Sequence, residues 1–128
     1  YDDVVVAVRE FLVERVAWAR AAGLPDDKIV VDAGLDLGKT APQSLELLRA
    51  SAMLADLGVP LLLSASNKTF LGAVLGLDID QRADASLAAT AIGVALGCRV
   101  VRVHDVARSR RACDTLAAVM AADPPTVP

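Results

Sequence analysis

At 128 residues with a net charge of −3, aromatic residues at 3% and no stripe of lysine or arginine, the chain lacks the basic surface that nucleic-acid binding needs. A hydrophobic content of 55% and a mean hydropathy of +0.48 suffice for the core of one domain and leave apolar surface to spare, yet no run approaches the ~18 apolar residues of a membrane span. Two cysteines, Cys98 and Cys113, stand far apart with a single histidine to join them, which argues for two reduced, packed thiols and against a metal or CxxC redox motif.

Val4, Val8, Phe11, Leu12, Val16 and Ala19 recur at helical spacing and predict a first helix from Val4 to Ala22 with these side chains on its buried face. Gly23 and Pro25 end it. Ile29-Val30-Val31 then has the β-branched composition of a buried strand, and the polar, Gly-containing stretch Asp32 to Thr40 follows as a loop at its carboxyl end. Pro42 suits a first turn, and Leu45, Leu48, Ala52 and Leu57 carry a second helix to Gly58. Leu61-Leu62-Leu63 is the second strand, Thr69 to Leu75 a short apolar helix broken by Gly76, and Asp78 to Arg82 a charged connection. A third, Ala-rich helix from Asp84 to Leu96 leads through Gly97 to a third strand and its end, Arg99-Val100-Val101-Arg102-Val103-His104-Asp105, and a last helix covers Val106 to Ala122. Asp123 to Pro128 is a Pro-rich tail expected to fray.

Helices alternate with strands, and Gly23, Gly58 and Gly97 precede the strands at a spacing of about 35 to 40 residues, the period of βα units in a parallel sheet. Because no strand precedes the first helix, the pattern fits the later half of a (β/α) barrel or a truncated doubly wound sheet. In either, ligands are held at the carboxyl ends of the strands. Asp32, Lys68, Arg102 and His104 all fall there, within expected reach of one small molecule. Arg102 in an apolar strand reads as a buried cation in need of an anion.

Ala33-Gly34-Leu35-Asp36-Leu37-Gly38-Lys39-Thr40 also fits a relaxed phosphate-binding P-loop, with Ala33 where the stricter pattern has glycine. Asp36 would set a carboxylate inside that anion cradle, which makes a nucleotide site the weaker reading. Asp32 to Thr40, Ser66-Asn67-Lys68-Thr69-Phe70-Leu71-Gly72 and Arg102-Val103-His104-Asp105-Val106 together resemble the last three motifs of dihydropteroate synthase, and the likeness runs over nearly the whole chain, including the helix at Ser86-Leu87-Ala88-Ala89.

The resemblance implies an α/β fold, the C-terminal half of a TIM (β/α)8 barrel, with residues 1–122 as a partial pterin-binding domain and 123–128 as a disordered tail. It implies a transferase of folate biosynthesis that joins a dihydropterin methyl diphosphate to 4-aminobenzoate and releases diphosphate. A pterin edge asks for an acceptor beside a donor, the roles of Asp32 and Lys68. Arg102 and His104 would stabilise the departing diphosphate as catalytic groups. Ser66 and Thr69 would line the aminobenzoate side. Magnesium is implied on the diphosphate without ligands in this half, together with a cytoplasmic setting, which the lack of a signal core also favours. A homodimer through the late helices, or pairing with an N-terminal half, completes the expectation.

Each assignment has a simpler structural rival. Asp32 can cap its own loop, Lys39 can be a solvated or helix-associated lysine, His104 a satisfied strand-end histidine, and Asp105 a cap of the last helix or an orienter of His104. Departures from the usual motifs are Ala33, Asp36 and Leu37 in the first loop, and Asn67 where an arginine is usual. They keep the pterin edge while removing an aromatic wall and a cation, and they define the alternative of a non-catalytic pterin-binding paralogue.

Overall fold

The computed structural model describes residues 1–121. Helix α1 spans Val4–Ala21: the Asp3 carboxylate accepts the Val6 N–H at 2.9 Å at its start, and Gly23 at φ +90° turns the chain out of it. Arg20 in its last turn grips Asp26 through two hydrogen bonds of 2.7 and 2.9 Å, which fixes the 3-10 turn Asp26–Lys28 just ahead of β1 (Val31–Asp32). Helix α2 (Ala41–Arg49) opens with a reciprocal capping box between Thr40 and Gln43. It is followed by α3 (Ser51–Ala55), β2 (Leu61–Leu63), α4 (Thr69–Leu75), a 3-10 turn at Ile79–Gln81, α5 (Ala83–Ala95), β3 (Val100–Val101) and α6 (Val106–Met120).

The three strands form one parallel sheet in the order β1-β2-β3, with Val31 beside Leu61, Asp32 beside Leu62, and Leu63 beside Val101. Parallel pairing in chain order puts all three carboxyl ends on one side, which positions the site. Leu61 and Leu63 are buried and Leu62 is less so, the alternation of a strand whose two faces differ. Below the buried face lie Leu47, Leu54 and Phe70, each fully excluded from solvent. Helix α5 approaches β2 so closely that a Cβ at Gly93 would stand 2.4 Å from Leu63 Cδ2, so only glycine fits there.

The expected second helix is two helices. Ala50 lies outside helical geometry (φ −84°, ψ 9°), and the buried Ser51 hydroxyl donates to the Leu48 carbonyl at 2.7 Å, competing with the helical ladder. The buried stripe nevertheless runs in phase across the break, through Ser44, Leu47, Leu48, Ser51 and Leu54, and Ala52 lies off it and is exposed. Phe11 is likewise exposed: Val4, Val8, Leu12 and Val16 form a stripe at strict i,i+4 spacing, and Phe11 lies beside it with Trp18, both stacked on the Arg15 guanidinium at 4.6 and 3.9 Å. Ala122, the expected end of the last helix, and the tail expected over 123–128 lie outside the described residues. Cys98 is buried and Cys113 half-buried, both as free thiols, and burial pushes the Cys98 thiol above its ordinary value and so keeps it protonated.

Candidate functional site

Asp32 is the last residue of β1, and its exposed carboxylate accepts the Gly34 N–H at 2.7 Å through Oδ1. This is the loop-capping role, and among the described residues Oδ2 accepts no hydrogen bond. Lys39 turns back into the same loop and donates to the carbonyls of Gly34 and Leu37 at 3.0 and 3.1 Å. Burial holds its ammonium below the ordinary lysine range; the charge of Asp32 opposes that shift and the charge of Lys68 adds to it. With Lys39 bonded to its own loop, the P-loop reading fails, because the lysine that should meet phosphate is spent on backbone carbonyls.

After β2 the chain passes Ser64 and the buried Ala65 to Ser66, Asn67 and Lys68. Asn67 sits at φ +58°, a left-handed conformation that asparagine tolerates, and two bonds to its backbone hold it there. Its N–H donates to Ser86 Oγ at 2.9 Å and its carbonyl accepts Arg82 Nη1 at 3.0 Å, while the Ser86 hydroxyl gives its one proton to the Arg82 carbonyl at 2.6 Å. Lys68 Nζ donates to the carbonyl of Leu35, across the mouth of the sheet. Asp36, also left-handed at φ +64°, gives its N–H to the buried Ser44 hydroxyl at 3.0 Å. Its carboxylate accepts the N–H groups of Thr69 and, at 3.3 Å, Phe70. The Asp36 charge read from sequence as a liability is therefore spent on the start of α4.

Arg102 follows the last residue of β3, and its N–H donates to the Leu63 carbonyl at 2.9 Å. Its side chain is exposed, not the buried cation expected, because it stands just past the short ladder at an open sheet edge. Continuing the register two residues further sets Ser66 beside His104, and they touch: Ser66 Oγ accepts the His104 backbone N–H at 3.2 Å and lies 2.9 Å from Nδ1. The Ser66 hydroxyl can donate to Nδ1 or accept from it, according to the tautomer of the ring, and Nε2 has no partner among the described residues. Asp105 caps α6 by accepting the Arg108 N–H at 2.9 Å.

The hollows at this end of the sheet are separate. Asp32 and Lys39 line one of about 420 Å³ against Phe11 and Leu37; Ser66 and His104 line a small one of about 90 Å³ with Ser86 and Arg108; Arg102 lines a third, about 650 Å³, along β3 with Val100 and Cys113. Sequence reasoning missed Ser44, Ser86 and Arg82, which hold the two left-handed residues. A serine one turn inside a helix that faces a loop is the signal that could have found the first two. Asp32, Asp36 and Asp105 each commit oxygen to backbone N–H groups, and among the described residues no three acidic, histidine or cysteine side chains converge.

Residues 1–104 match the family described as pterin binding enzyme. Over 123 residues, 96% of this chain, it is 40% identical to a Mycobacterium bovis protein named inactive dihydropteroate synthase 2, covering 39% of that protein. It superposes on crystalline dihydropteroate synthase from Stenotrophomonas maltophilia, with imidazole bound in its active site, at a TM-score of 0.92 and 41% identity, over 96% of this chain and 47% of that one. The Xanthomonas albilineans dihydropteroate synthase in complex with 7,8-dihydropteroate matches at a TM-score of 0.91 and 36% identity, over 100% of this chain and 47% of that one. The chain therefore spans about two fifths of the length of the curated relative, 39%. Its three parallel strands and intervening helices have the fold of part of a dihydropteroate synthase TIM barrel.

Proposed function

Since the chain belongs to the pterin binding enzyme family, we propose that it supplies the pterin- and diphosphate-contacting face of a dihydropteroate synthase, condensing a dihydropterin methyl diphosphate with 4-aminobenzoate. The observation that supports this reading is that Asp32, Lys68, Arg102 and His104 all stand at or just past the carboxyl ends of strands in one parallel sheet, where they border neighbouring hollows. Asp32 Oδ2 accepts from the amino edge of the pterin, and Lys68 donates to its carbonyl with the two N–H groups not given to Leu35. Arg102, exposed, and His104, through Nε2, meet the charge that grows on the leaving diphosphate. Ser66 and Thr69 line the aminobenzoate side.

A second reading, a pterin-binding paralogue without turnover, is favoured by one observation. The Asp36 carboxylate rests on the Thr69 N–H, on the side assigned to an incoming benzoate, where like charges repel. We place residues 1–122 in one partial barrel domain with a cytoplasmic setting. A homodimer through the late helices has support in the apolar groove of about 190 Å³ between α2, α4 and α5, lined by Leu45, Val74, Ala88 and Ile92.

Incubating the full-length protein with the pterin diphosphate and 4-aminobenzoate tests the two readings directly. Formation of dihydropteroate, increased by Asn67→Arg, supports the synthase. Tight pterin binding with no product, in both proteins, supports the paralogue.

A further inference from the structure

Building on the reading of Lys68 as a pterin ligand, we propose that Asp36 is a positioning residue for Lys68, acting through a latch between the loop after β1 and the loop after β2. Helices are ordinarily capped by the residue at their own start. Lys68 holds that position in α4 and provides no side-chain cap; Asp36, more than thirty residues away, takes the N–H groups of Thr69 and Phe70 instead. The same segment binds the other end of the lysine, since the carbonyl of the buried Leu35 accepts Lys68 Nζ. The two backbone N–H groups that follow Lys68 and its own ammonium are thus tied to two consecutive residues of the first loop. That loop is itself fixed, because the left-handed Asp36 gives its N–H to the fully buried Ser44 hydroxyl.

The consequence is a preorganised donor. A free lysine stem samples many rotamers, and a ligand that uses it must order it on binding. Here the stem is held before the ligand arrives, with two ammonium hydrogens left for it.

The test uses the full-length protein and variants Asp36→Gly, in which glycine takes the positive φ without strain, and Asp36→Asn, which keeps one acceptor oxygen. Two quantities are read: the rate at which an amine-acylating reagent modifies Lys68, followed by mass spectrometry, and the Kd of dihydropterin methyl diphosphate. In Asp36→Gly, acylation of Lys68 rises severalfold and the Kd rises about tenfold, with Asp36→Asn between it and the unaltered protein. In a Lys68→Ala background, Asp36→Gly adds no further loss. Unchanged acylation of Lys68 in both variants overturns the latch, and so does an equal loss of affinity with and without Lys68. Wild-type affinity in Lys68→Ala alone overturns the reading of Lys68 as a ligand, while the acylation rates still decide the latch.

Discussion

Asn67 stands where an arginine is usual, and the structure gives its replacement a cost that sequence alone does not show. The residue is left-handed, a conformation that asparagine tolerates better than arginine. Asn67→Arg is therefore expected to lower stability by about 1 kcal/mol, measured by chemical denaturation, even if it increases turnover. An unchanged midpoint would mean that Ser86 and Arg82 hold this backbone without help from the side chain. At this scale the sequence was legible wherever a residue acts on its own neighbours. Asp105 as a cap of α6 and Asp32 as a cap of its loop needed only positions two or three apart. Asp36 was opaque for the opposite reason, because its partners Thr69 and Phe70 lie more than thirty residues on and only the folded sheet mouth brings them to it.

Among the elements, the seat of α5 on β2 makes the sharpest prediction. A methyl group at Gly93 would press on the buried Leu63 and force it or the helix to shift, so Gly93→Ala is expected to cost about 1–3 kcal/mol in thermal or chemical unfolding. A neutral result would mean that the helix can shift on the sheet. The tie between α1 and the turn before β1 gives a pH dependence. Hydrogen bonds from Arg20 hold the Asp26 carboxyl below its ordinary value of 3.8. A carboxyl lowered on folding adds stability that is complete above that ordinary value and is lost as pH falls through the folded one. Asp26→Asn should therefore flatten the fall of the melting temperature on the acid side of about pH 4, while the exposed position keeps the change at neutral pH small. Element order and type were legible from periodicity and from Gly23, Gly58, Gly76 and Gly97. The split of the second helix was not, because Ser51 gives no signal in a hydrophobic pattern until its hydroxyl is seen on the Leu48 carbonyl.

For the whole molecule, β1 and β3 are sheet edges without a neighbour among the described residues, and α1 presents exposed Phe11 near Asp32 while α6 presents exposed Val106 near β3. Open edges and apolar faces seek partners. Produced alone, the 128-residue chain is expected to self-associate in sedimentation and to melt broadly; a monodisperse monomer with a sharp cooperative transition would contradict this. The high hydropathy had announced surplus apolar surface, but its location at two edges needed the strand order. The central claim is that the three strand ends serve one ligand, gripping its heterocycle with Asp32 and Lys68 and its phosphorylated arm with Arg102 and His104. Calorimetric titration of the full-length protein with the dihydropterin methyl diphosphate and with the same pterin lacking its diphosphate tests it most directly. Asp32→Ala should weaken both ligands by about tenfold or more, whereas Arg102→Ala should weaken only the diphosphate. Unaltered affinity of both variants for both ligands would contradict the account.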